Sequence, residues 1–138
     1  MHILPILQNQ NLKEILLVDD DPDYSELTRT RLEASGYHVS CASSGREALE
    51  LLEREYQPNL IIMDIEMPDK NGLTTLINMN VRHGVKRQSE KASIPVIVAT
   101  GLQSEKVREV MMAQNVSGYL KKPYNSEELI QTVKGLIG

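Results

Sequence analysis

Five side chains, scattered over more than a hundred positions, carry the groups that phosphoryl chemistry uses. Asp19, Asp20 and Asp64 supply carboxylates, Thr100 a hydroxyl and Lys122 an ammonium. Gathered in one place, the carboxylates repel, since two unit charges about 4 Å apart cost roughly 4 kcal/mol at an effective dielectric near 20. Such a cluster calls for a cation or for protonation. Oxygen ligands without clustered cysteine or histidine select Mg2+, with Mn2+ as the alternative, and Mg2+ keeps waters while accepting a phosphate oxygen. A hydrogen bond from Thr100 and a point charge from Lys122 are what a phosphoryl group on Asp64 would need for stabilisation.

These groups can act together only if the chain brings them to one edge. Residues 60–63, Leu-Ile-Ile-Met, show no polar alternation and read as a strand buried on both faces. Asp64 then sits at the strand's carboxyl end, where ligands bind in open α/β sheets. Pro68 and the Asp69-Lys70-Asn71-Gly72 turn stop the strand.

Upstream, residues 15–18 form a first apolar strand that ends in Asp19-Asp20-Asp21-Pro22. Asp21 reads as an N-cap with proline at the first helical position, and Leu27, Arg31 and Leu32 follow on helical spacing until Gly36. Residues 37–42 make a second strand. Ser44-Gly45-Arg46-Glu47 is a capping box, and Ala48, Leu49, Leu51 and Leu52 supply the apolar face of a helix that ends before Pro58.

Downstream, a helix starts at Gly72 with Leu73, Leu76 and Ile77 inward, and residues 95–100 are a fourth strand. Ser104 caps a helix carrying Val107, Val110 and Met111, residues 118–121 are a short fifth strand, and Pro123 ends it. Ser126 opens a last helix with Leu129, Ile130, Val133, Leu136 and Ile137. Five strands alternating with five helical patterns predict a doubly wound α/β domain, a parallel sheet with helices on both faces. Asp19, Asp20, Asp64, Thr100 and Lys122 then share one sheet edge.

The 138 residues suit a single core. A formal charge of −4, from 15 basic and 19 acidic residues, lacks the basic excess of a direct nucleic-acid binder. One cysteine, Cys41, cannot form an internal disulfide and reads as a buried structural thiol in a strand. No apolar run approaches a membrane span, and the N-terminus lacks the pattern of a signal peptide, so no membrane association and a cytoplasmic setting are expected. Residues 1–13 read as an N-terminal arm before a domain over 14–138.

Four motifs occur in order at strand ends: Val18-Asp19-Asp20-Asp21-Pro22, Met63-Asp64-Ile65-Glu66-Met67-Pro68 with Gly72, Thr100-Gly101, and Lys122-Pro123-Tyr124. Together they resemble the receiver domain of bacterial response regulators, CheY-like proteins of two-component signalling. The resemblance covers residues 14–138 and implies a flavodoxin-like strand order 2-1-3-4-5. It also implies that Asp64 is the phosphoacceptor, that Asp19, Asp20, Asp64 and the Glu66 backbone carbonyl ligate Mg2+, and that Thr100 and Lys122 contact the phosphoryl group. Tyr119 would be an aromatic switch acting with Thr100, and Glu66 and Leu102 would modulate the water path to the acyl phosphate. The donor would be a histidine kinase or a histidine phosphotransfer protein, and a downstream protein would read the 100–121 face. The expectation is a single-domain switch that catalyses its own phosphorylation and dephosphorylation rather than an enzyme turning over a substrate.

Plainer roles are assigned elsewhere. Asp21 is a cap, Asp69 serves a turn, and His2, His38 and His83 are ordinary side chains. Arg82, His83, Lys86, Arg87 and Lys91 form a solvated basic face in a segment, residues 72–95, longer than the family norm. Lys121 and Lys122 point to opposite faces, and the lysine beside Pro123 fits the motif. The rival class is a Mg2+-dependent phosphohydrolase of the haloacid dehalogenase type, because Asp64-Ile65-Glu66 mimics its Asp-x-Asp motif. That family places its nucleophile on the first strand, whereas Asp64 follows the third.

Overall fold

The computed structural model describes residues 12–54, 56–65, 94–101, 109, 113 and 116–138. Its strands are β1 (Glu14–Val18), β2 (His38–Ala42), β3 (Leu60–Asp64), β4 (Val96–Thr100) and β5 (Gly118–Lys121). They form one parallel sheet in the order β2-β1-β3-β4-β5, the expected topology. The helices among the described residues are α1 (Pro22–Ala34), α2 (Gly45–Glu53) and α3 (Ser126–Ile137). The helix expected from Gly72 lies outside the described residues, as do the arm through residue 11 and the basic face. Of the helix expected from Ser104, Glu109 and Ala113 are described, both in helical backbone.

Alternation along the strands builds two cores. Ile15 and Leu17 of β1, with Leu60 and Ile62 of β3, pack under Leu32 of α1 and Leu129 and Val133 of α3. Leu16, Val18, Ile61 and Met63 face the other way, against Ala48, Leu49 and Leu52 of α2. Helices on both faces leave β3 and β4 buried along their whole length, and β1 from its second residue, which is why those strands read as continuous apolar runs. The edge strands β2 and β5 are only partly covered.

Local signals set the helix ends. Asp21 caps α1, its Oδ1 accepting from the backbone N–H groups of Asp23 (3.0 Å) and Tyr24 (3.2 Å). At the other end Gly36 (φ +97°) donates to Glu33 and Tyr37 donates to Leu32, a paired closure that needs the left-handed conformation glycine tolerates. Ser44 caps α2 by accepting from Glu47 N–H, but the reciprocal half of the box is displaced. Glu47 Oε1 accepts from Ser43 N–H (2.6 Å) and Ser43 Oγ (3.0 Å), one residue before the cap. Asn125 caps α3 through Glu128 N–H at 2.7 Å. The last turn of α3 is tied back by Lys13 Nζ donating to the Ile137 carbonyl and by Tyr37 Oη donating to the Gly138 carbonyl at 3.2 Å.

One sequence expectation is corrected, that for Cys41, and packing sets the buried face of α1. That face is Ser25, Thr28 and Leu32, while Leu27 is 48 % exposed. Thr28 can be buried because its hydroxyl meets Tyr124 Oη at 3.2 Å, a partner supplied from 96 positions away. Cys41 is exposed, not buried. It lies on edge strand β2 where a cavity of about 540 Å³ opens between α1, β2 and the start of α2, so no helix among the described residues covers the thiol.

Replacing Leu32 with Ala should therefore cost about 2–5 kcal/mol in urea unfolding, whereas Leu27→Ala should stay within about 0.5 kcal/mol. Equal losses would mean that Leu27 is packed as tightly as Leu32. Burial pushes the Tyr124 hydroxyl up to about 12, above the value of about 10 expected in the unfolded chain. Its neutral form thus contributes stability in full below pH about 10, lost as pH rises toward about 12. Tyr124→Phe should flatten the fall in stability between pH 9 and 11, measured by denaturant melts.

Candidate functional site

Because the strands are parallel, their carboxyl ends meet at one edge, and the chain places its acidic groups there. Asp64 is the last residue of β3 and 5 % exposed. Asp19 directly follows β1 and is 4 % exposed; its N–H donates to the Ala42 carbonyl at 3.0 Å, extending the β1–β2 ladder by one step. The two oxygens of Asp19 are divided. Oδ1 accepts from Asp21 N–H at 2.9 Å, on the side of the α1 cap, and Oδ2 accepts from Lys122 Nζ at 3.0 Å.

Lys122 reaches this point because its backbone N–H donates to the Thr100 carbonyl at 2.9 Å, carrying β4–β5 pairing one residue past the strand. Strand alternation then turns Lys121 out to solvent and Lys122 in, which resolves the choice between the two lysines. The Lys122 ammonium bridges Asp19 Oδ2 and Asp64 Oδ2, at 3.0 and 3.1 Å. Burial works against the charged lysine, but its hydrogen bond to Asp19 and the charges of Asp19 and Asp64 outweigh it. The ammonium is held above the ordinary lysine value.

Asp20 is partly exposed beside them, and one carboxylate oxygen from each of Asp19, Asp20 and Asp64 lies within 4.8 Å of the others. Ligand oxygens on one octahedral Mg2+ sit roughly 3–4 Å apart at the usual bond length. The three carboxylates are thus one side-chain adjustment from sharing a hard cation, and their donor chemistry fits Mg2+. Asp21, spent on the helix cap, is not among them. Thr100 is fully buried at the end of β4, one residue past the Asp64–Ala99 pair. Tyr119 lies opposite Val98 and packs, partly buried, against the core beneath α2. Glu66 and Leu102 lie outside the described residues.

One contributor was not singled out in the sequence. Lys122 Nζ stands 4.2 Å from the centroid of the Tyr24 ring, within the range of a cation–π contact. The available signal was position: Tyr24 is in the first turn of the helix that Asp21 caps, so it must lie at the same sheet edge as Asp19. The cavity that exposes Cys41 adjoins this edge and is lined by Asp19, Asp20 and Ser25.

Comparison with known proteins agrees with this geometry. The family model for the response regulator receiver domain matches residues 15–134. The polar-differentiation response regulator DivK of Brucella ovis is 34% identical over 126 residues, covering 91% of this chain and 97% of DivK. The transcriptional regulatory protein CpxR of Escherichia coli is 33% identical over 91% of this chain, which spans half the length of CpxR. Among solved structures, the receiver domain of the sensor histidine kinase PA1611 from Pseudomonas aeruginosa PAO1, with a magnesium ion coordinated in its active site cleft, superposes with a TM-score of 0.78. It is 27% identical, over 92% of this chain and 98% of that one. With the acidic edge, the strand order and the partly buried lysine all in place, this chain belongs to the response regulator receiver domain family, the signalling switches of two-component systems.

Proposed function

We propose that this chain accepts a phosphoryl group on Asp64 from the phosphohistidine of a histidine kinase or a histidine phosphotransfer protein, and thereby switches its affinity for a downstream protein. The observation that carries this reading is the Lys122 ammonium bridging two buried carboxylates, Asp19 and Asp64, with Asp20 beside them. A lysine so placed neutralises charge that would otherwise repel an incoming phosphoryl group. In the transfer, a carboxylate oxygen of Asp64 attacks phosphorus, the bond from phosphorus to the donor breaks, and the leaving group departs with the electron pair. Asp19, Asp20 and Asp64, with the Glu66 carbonyl, are the residues that would hold Mg2+. When bound, the ion supplies positive charge to the phosphoryl oxygens. The Thr100 hydroxyl would donate to the transferred group, and Tyr119 would be the side chain that repacks in response. The 100–121 face is the surface a partner reads, and Glu66 and Leu102 set access of water to the acyl phosphate.

Incubation with Mg2+ and acetyl phosphate should add one phosphoryl group by intact mass, and Asp64→Asn should add none while keeping the fold. Labelling of that variant at the wild-type level would sink the assignment. Removing one carboxylate from a divalent cation forfeits on the order of several kcal/mol at an effective dielectric near 20, so Asp20→Asn should weaken Mg2+ binding by well over about tenfold. Asp21→Asn should leave that affinity unchanged, because Asp21 serves the helix cap. Calorimetric titration of both variants separates a ligand from a cap, and equal affinities would remove Asp20 from the ligand set.

A further inference from the structure

The ammonium of Lys122 has a third contact that is not a carboxylate. It lies 3.0 Å from Asp19 Oδ2 and 3.1 Å from Asp64 Oδ2, and the Tyr24 ring faces it at 4.2 Å. The two carboxylates are the groups whose electrostatic surroundings would change as the site works, because phosphorylation would turn Asp64 into an acyl phosphate and both would share a cation. The ring is different. Its attraction for a cation comes from a fixed quadrupole, and it is unaltered when the charge on Asp64 is neutralised.

The ring is itself anchored. Tyr24 is in the first turn of α1, and its hydroxyl accepts a hydrogen bond from Tyr124 N–H at 3.4 Å, two residues beyond the lysine. The two tyrosine rings meet edge to face, with centroids 5.5 Å apart and planes at 80°. Tyr124 Oη in turn meets the buried Thr28 hydroxyl at 3.2 Å, one helical turn further along α1. Two successive turns of α1 therefore grip the segment that carries Lys122.

Resting on the phosphoacceptor reading above, we infer that Tyr24 is a positioning residue for Lys122: its ring holds the ammonium at the mouth of the site independently of the charge on Asp64. On this inference Tyr24 acts through the lysine, whose ammonium its ring faces.

The test uses the whole chain and two readouts. Protons above a ring face resonate upfield, so the Lys122 ε-methylene signal, assigned by its loss in Lys122→Ala, should be displaced upfield in the wild type without any metal. The displacement should survive in Tyr24→Phe, which keeps the ring, disappear in Tyr24→Leu, and persist in Asp64→Asn, where one carboxylate charge is gone. Labelling by acetyl phosphate with Mg2+ should slow about five- to thirtyfold in Tyr24→Leu, the rate equivalent of losing a cation–π contact from a largely desolvated site. Tyr24→Phe should label close to the wild-type rate, and Mg2+ affinity should be the same in all three proteins. Loss of the upfield shift in Asp64→Asn would overturn the inference, because the lysine would then be placed by carboxylate charge alone. Equal slowing in the Phe and Leu variants would overturn it too, assigning the effect to the hydroxyl and Tyr124. Failure of the wild type to take a phosphoryl group would sink the phosphoacceptor reading, while the proton shift would still decide whether the ring holds the lysine.

Discussion

The structure turns on one shared ammonium. Asp19 and Asp64 are both almost fully buried with oxygens close together, an arrangement that electrostatics penalises strongly unless a positive charge stands between them. Lys122 fills that place at 3.0 and 3.1 Å. Its presence lets the chain keep an acidic cluster at a desolvated sheet edge. On the proposed function the same lysine is a charge already positioned for an anion arriving on Asp64. Stability and reactivity would then draw on one contact, which any entering cation or phosphoryl group would have to renegotiate.

Everything else in the fold serves to bring three strand ends to that contact. Parallel strands place all their carboxyl termini on one side, and parallel pairing requires crossovers that cover both faces. The register sets the fine positions: Asp64 pairs with Ala99, Thr100 pairs with Lys121, and one further backbone bond carries Lys122 past the end of β5. A slip of one residue would send Lys121 inward and Lys122 to solvent, and the two buried carboxylates would lose their partner.

The contacts between α1 and the segment after β5 add a second layer of control. Tyr24, Thr28 and Tyr124 form a small polar and aromatic seam inside a core that is otherwise aliphatic apart from Tyr37. The Thr28 and Tyr124 hydroxyls satisfy one another and the Tyr24 hydroxyl accepts from Tyr124 N–H, so burying them avoids the penalty of an unpaired polar group. Because Lys122 sits two residues before Tyr124, the seam ties the position of α1 to the position of the ammonium.

What was legible in the amino-acid sequence follows from local physics. Apolar runs named the five strands to within a residue, Asp21, Ser44 and Gly36 marked helix ends through their own side-chain or backbone chemistry, and the alternation of elements implied that Asp19, Asp20, Asp64, Thr100 and Lys122 share an edge. What the sequence left undecided depends on partners distant along the chain. Helical spacing named Leu27, Arg31 and Leu32 without choosing a face; Leu27 is exposed while Ser25 and Thr28 are buried, because the helix face is chosen by what it packs against and Tyr124 offers a hydroxyl to Thr28. Cys41 sits in a strand as expected, yet an edge strand beside an open cavity leaves it exposed. The stacking of Lys122 on Tyr24 is a fact of three-dimensional proximity across 98 positions, and no periodicity or spacing encodes it. Residue type and order determine which groups are available and at which edge; packing alone decides which of them touch.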